Sequence, residues 1–89
     1  MEELRHEGLN RLRQYINSLE TTDQKAFEKR LGTTINYLRN AITNKKRFDG
    51  ELCVKIENAS YGNVKRYWLR PGIWPELVSQ DSDFKANVN

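Results

Sequence analysis

Cysteine occurs once in this chain, at position 53, and histidine once, at position 6. One cysteine closes no intramolecular disulfide, and no Cys/His cluster has zinc-ligand spacing, so the fold has to rest on packing alone. Cys53 lies between Leu52 and Val54 and reads as a buried structural thiol rather than a reactive nucleophile. His6 sits among charged residues and reads as a solvated side chain. No nucleophile, base and orienting group come together, so neither an enzyme nor a cofactor, metal or small-molecule substrate is expected. Apolar runs are only a few residues long, far below the ~20 that a membrane span needs. The opening Met-Glu-Glu-Leu-Arg has neither a basic nor an apolar signal region, so a cytoplasmic protein is expected.

The chain has 89 residues, room for one domain. A domain of that size buries only about 60% of its unfolded surface, which makes dimerisation plausible from the outset. The charge is unevenly spread. Residues 1–23 carry three Lys/Arg against five Asp/Glu, residues 24–70 eleven against four, and residues 71–89 one against three. The middle is therefore +7 and each end −2. Such a basic block is either the footprint of a nucleic-acid surface or a solvated lysine-rich array of helices.

Periodicity gives an all-α reading with four helices. Leu9, Leu12, Ile16 and Leu19 form one apolar stripe. Thr21 with Gln24 reads as a capping box for a second helix, whose Phe27 and Leu31 face inward and which ends at Gly32. Thr33 or Thr34 can cap a third helix carrying Leu38, Ala41 and Ile42. Asp49 can cap a fourth, with Leu52, Ile56 and Ala59 on one side and Gly62 as its stop. Val64–Leu69 has strand-like propensity.

The second and third helices, joined by Gly32-Thr33, form the pattern of a helix-turn-helix, in which glycine supplies the left-handed turn. On a wheel with Ile35 at 0°, Leu38, Ala41 and Ile42 fall between about 240° and 340°. Arg39, Thr43, Asn36 and Asn40 fall at about 40°, 80°, 100° and 140°. The outward face is thus made of side chains that bond base edges: arginine to guanine, asparagine to adenine, threonine to either. Ile35 stands on the boundary, open to a thymine methyl or to partial burial. Tyr37 is open to packing on the first helix or to a phosphate. The run Lys45-Lys46-Arg47 follows at the exit from the groove, where phosphate contacts are its natural role.

The stretch from about Gln24 to Pro75 resembles the small phage Cro-type and YdaS-type transcriptional regulators. The resemblance rests on Gly32-Thr33-Thr34 with Leu38, and more specifically on Ile56-Glu57-Asn58-Ala59-Ser60, Gly62, Val64, Arg66, Leu69-Arg70-Pro71 and Ile73-Trp74-Pro75. Glu28, Lys65 and Gly72 depart from the family pattern, Glu28 where alanine is favoured. The resemblance implies a lambda-repressor-like bundle of four to five short helices that binds an operator sequence-specifically as a phage or prophage repressor. It also implies a short helix over Val64–Leu69 ended by Pro71, and this helical reading is preferred to the strand. It implies that Gln24 and Thr34 hold phosphates while Ile35, Asn36, Arg39 and Asn40 reach bases. An antitoxin-type autoregulator is a close variant, and a module that binds a partner regulator instead of DNA is the rival reading. The expected partner is a pseudo-palindromic duplex held by a homodimer, with recognition helices about 34 Å apart. Trp68, Ile73, Trp74 and Leu77 either close the core or form the dimer contact. Residues 1–78 are expected to form the domain and 79–89 a polar, disordered tail.

Overall fold

In α1, Glu2–Ser18, the stripe Leu9, Leu12 and Ile16 is buried, and Leu19 packs half-buried just beyond the helix end. A computed structural model describes residues 2–86, all in helices and connecting turns. α2 spans Thr21–Leu31 and α3 Ile35–Thr43, with Phe27, Leu31, Leu38, Ala41 and Ile42 facing the same core. α4 spans Gly50–Ala59, and the Asp49 side chain accepts from Leu52 N at 2.7 Å, the N-cap that the residue order suggested. Residues 64–70 contain a one-turn helix, α5 (Arg66–Leu69), after which Arg70 turns extended before the buried Pro71. α6 (Pro75–Ser79) and α7 (Ser82–Ala86) follow.

Three local expectations are corrected. The described residues form seven helices rather than four or five. Thr21 does not cap α2: Glu20 holds that place without a side-chain bond, and the Gln24 amide instead donates to Ile16 O at 3.1 Å, tying α2 to the C-terminal turn of α1, where Leu19 N bonds the same oxygen at 3.2 Å. The segment after residue 78 is not a loose tail as far as Ala86. Phe84 is fully buried, its ring stacked on Trp68 at 6.0 Å, while Asp81 caps α7 through Phe84 N at 3.0 Å. Burying one aromatic holds a helix too short to be stable alone. Residues 87–89 of the expected tail lie outside the described residues.

Among the four C-terminal apolar residues, Trp68 and Trp74 pack on the core, whereas Ile73 and Leu77 stay exposed. Asp81 Oδ2 accepts from Tyr67 Oη at 2.7 Å and Trp68 Nε1 at 3.2 Å, and Arg11 of α1 lies over the Trp68 ring at 4.6 Å. The C-terminal helices are thereby clasped to α1. Cys53 is buried as expected, and desolvation pushes its thiol up to about 12. No described helix is long and apolar enough to cross a membrane.

Candidate nucleic-acid interface

The link from α2 to α3 is Gly32, Thr33 and Thr34. Gly32 takes φ 86°, and its N–H bonds Glu28 O at 2.8 Å, closing α2 in the left-handed conformation that favours glycine. Thr34 Oγ1 then accepts from Tyr37 N at 3.0 Å, so Thr34 is the cap of α3. A second cap comes from α2. Glu28 Oε2 accepts from Ile35 N at 2.7 Å, which explains a carboxylate at the helix–helix junction: it satisfies one of the first amides of α3. Its charge also balances the positive end of α3, so a phosphate meets repulsion there. That weighs against the roles expected for Thr34, whose hydroxyl is engaged as a cap, and for Gln24, which is half-buried and bonded to Ile16.

Along α3, burial follows the wheel. Leu38, Ala41 and Ile42 are buried; Asn36, Asn40 and Thr43 are exposed. Ile35 is corrected from the boundary to the core, at 7% exposure, where it joins the buried cluster that holds Leu31 and Leu38. Arg39 lies half-buried at the margin of the polar face, where its Nη1 donates to Asn17 Oδ1 of α1 at 2.7 Å. A cleft of about 260 Å³ between α2 and α3 is lined by Thr21, Gln24, Lys25, Glu28, Asn36 and Arg39, with Ile35 at its floor.

The basic run divides three ways. Lys45 adopts φ 53° and faces a second cleft, of about 340 Å³, together with Thr43, Asn10, Arg13 and His6. Lys46 Nζ bonds Tyr37 Oη at 3.0 Å and lies 5.2 Å from the ring centre, so Tyr37 turns to this loop. Arg47 pairs with Glu2 at 2.6 Å and faces away into a cleft shared with Arg5 and Arg70. The loop itself is anchored by the buried Arg5, which donates to the carbonyls of Lys45 and Lys46 at 2.8 and 3.1 Å. Arg5 is held in turn by Glu2, whose carboxyl its hydrogen bond brings down to about 2.

No protein-family model matches this chain, and no curated protein or solved structure is significantly similar to it. The geometry therefore stands by itself. It adds one strip that the sequence reading missed: His6, Asn10, Arg13 and Asn17 on α1, which border the polar face of α3 through the second cleft and the Asn17–Arg39 bond. Their i, i+4, i+7, i+11 spacing beside the buried stripe was the available signal. Other basic residues serve the fold. Arg70 donates to Phe48 O at 2.7 Å, and Arg66 pairs with Glu57 at 3.0 Å.

Proposed function

We propose that this protein binds double-stranded DNA sequence-specifically, with α3 in the major groove, as a small Cro-like transcriptional repressor. One observation carries the reading: α3 follows a tight glycine turn and presents Asn36, Asn40 and Thr43 on its outward face, with Arg39 at one edge and the exposed Tyr37 at the other. Such side chains read base edges. Lys25, Arg13, Lys45 and Lys46 lie beside that face on three different segments, the arrangement needed to hold phosphates on both sides of a groove. Arg47 belongs to this set only through the loop it shares with Lys46.

A two-fold dimer on a pseudo-palindromic operator fits a domain this small, and the exposed Ile73 and Leu77 are its available apolar contacts. Autoregulation of a toxin–antitoxin operon uses the same chemistry. The test is a selection of bound sequences from random duplexes, followed by binding at 50 to 200 mM salt. A repressor making six to ten phosphate contacts recovers one sequence and loses roughly 10³ to 10⁵ in affinity over that range. Recovery of no enriched sequence, or affinity insensitive to salt, would overturn the proposal.

A further inference from the structure

A second basic site lies on the other side of α2. At about 100° per residue, Arg30 sits about 180° around α2 from Thr21, which lines the cleft facing α3. The Arg30 guanidinium lies 4.5 Å from the centre of the Tyr61 ring, and its Nε donates to Ala59 O at 2.9 Å. Its Nη groups, and the ammonium of Lys55, have no partner among the described residues. Arg30, Lys55, Asn58 and Ala59 line a notch of about 270 Å³ that contains no carboxylate.

Tyr61 is the feature that a purely structural account leaves over. It is 74% exposed, the most exposed of the large hydrophobic side chains among the described residues, and it takes φ 54°, where a bulky residue is an outlier. The turn holds it there firmly. Ser60 Oγ accepts from Val64 N at 3.0 Å, Asn63 Nδ2 donates to Ser60 O at 2.9 Å, and Gly62 N bonds Glu57 O at 2.8 Å. The ring lies under the guanidinium of Arg30, which itself lines the notch with Lys55 and Asn58, and a strained backbone that displays an aromatic there is built to receive something.

We propose that this corner docks an acidic segment of a partner protein, a carboxylate bonded by Arg30 and Lys55 with its neighbouring side chain laid on Tyr61. The lining is cationic without an acid, and guanidinium nitrogens match a carboxylate in pairs. A duplex seated on α3 leaves this face of α2 uncovered, and a shallow notch of about 270 Å³ with four lining residues has room for one or two side chains rather than a continuous sugar–phosphate track. The site does not depend on the DNA-binding reading.

The experiment is an amide-resolved NMR titration of the full chain with a blocked oligoglutamate peptide, inorganic phosphate and a mixed-sequence duplex in separate arms. The peptide is expected to shift Arg30, Lys55, Asn58 and Tyr61 saturably while Asn36, Asn40 and Thr43 stay still. Tyr61→Gly relieves the left-handed strain, so it should melt higher than the parent yet bind the peptide about tenfold more weakly. Lys55→Glu should abolish binding without a change of fold. The proposal is overturned by peptide shifts that spread over the basic surface, by equal shifts from phosphate, by duplex DNA moving Tyr61 before α3, or by unchanged peptide affinity in Tyr61→Gly. Failure of the DNA-binding reading would show separately, as α3 amides unmoved by the duplex.

Discussion

Gly8 of α1 lies directly against the backbone of Trp68 in α5: a Cβ at Gly8 would stand 1.7 Å from the Trp68 carbonyl oxygen and 3.0 Å from its Cβ. A residue that would ordinarily weaken a helix is thus the condition for α1 and α5 to pack. Gly8→Ala gains about 1 kcal/mol of helix propensity but forces two backbones apart, an overpacking that costs typically about 1–3 kcal/mol and more where backbone must move. A net fall in Tm is expected. A variant that melts higher would show that the two helices do not approach in this way.

On α3, stability and recognition are expected to separate by face. Leu38→Ala opens the core and should cost about 2–5 kcal/mol, whereas Asn36→Ala, on the exposed side, should stay within about 0.5 kcal/mol of the parent. Asn36→Ala should nevertheless lose operator affinity. Thermal melts of both variants, with binding measured on the folded one, decide the orientation of the helix.

Arg39 and Lys46 should fail differently on DNA. Arg39→Ala removes a group that can bond guanine in bidentate fashion and should lose about 1–3 kcal/mol chiefly on the operator, flattening preference at one base pair. Lys46→Ala should weaken operator and random DNA alike and reduce the salt slope by about one. Because Arg39 is bonded to Asn17, Asn17→Ala provides the control: it frees the arginine without removing it. Equal loss on both duplexes for Arg39→Ala would make Arg39 a phosphate ligand.

Glu28 sits at the positive end of the helix proposed to enter the groove. Glu28→Gln keeps an acceptor for Ile35 N and removes the charge, so the fold should persist while affinity for any duplex rises about two- to fivefold. Glu28→Ala should instead destabilise by about 0.5–2 kcal/mol, the loss of a cap. Unchanged DNA affinity in Glu28→Gln would place the end of α3 away from the phosphates.

The C-terminal clasp should open at both ends of the pH range. Burial pushes Asp81 up, but hydrogen bonds from Tyr67, Phe84 N and Trp68 outweigh it and hold the carboxyl below its usual 3.8. An acid with a lowered folded value contributes above its unfolded value and loses that contribution as pH falls through the folded one. Burial first, then the bond to Asp81, raises Tyr67 from 10.0 to about 12; its contribution is complete below 10.0 and disappears as pH rises toward about 12. Trp68 fluorescence in a Trp74→Phe background should report both transitions. A flat signal between pH 8 and 12 would rule out the alkaline one.

Much of α3 was readable from residue order, since Leu38, Ala41 and Ile42 repeat with the helix and Thr34 caps within three residues of itself. The same locality explains Asp49 and Gly32. The capping box proposed at Thr21 misled for a physical reason: Gln24 had a competing acceptor, the Ile16 carbonyl, eight residues away on another helix. The Ser79–Asn89 segment looked too polar to fold because the one deeply buried side chain among its described residues, Phe84, finds Trp68 only in the assembled bundle. Of the candidate interface, the outward placement of Asn36, Asn40 and Thr43 was legible on the wheel, while the α1 strip and the Glu28 cap were not.

By itself the sequence determined that the first four helices exist, which face of each is apolar, and where a glycine turn separates α2 from α3, because capping and 3.6-residue periodicity act between near neighbours. The tertiary structure decided the employment of the charges. It sent Arg5 to the carbonyls of Lys45 and Lys46 forty residues on, Arg39 to Asn17 across 22 residues, and Arg11 to Asp83 across 72. Those pairings follow from how helices pack, and a long flexible side chain meets whatever packing brings within its reach, which no local pattern encodes.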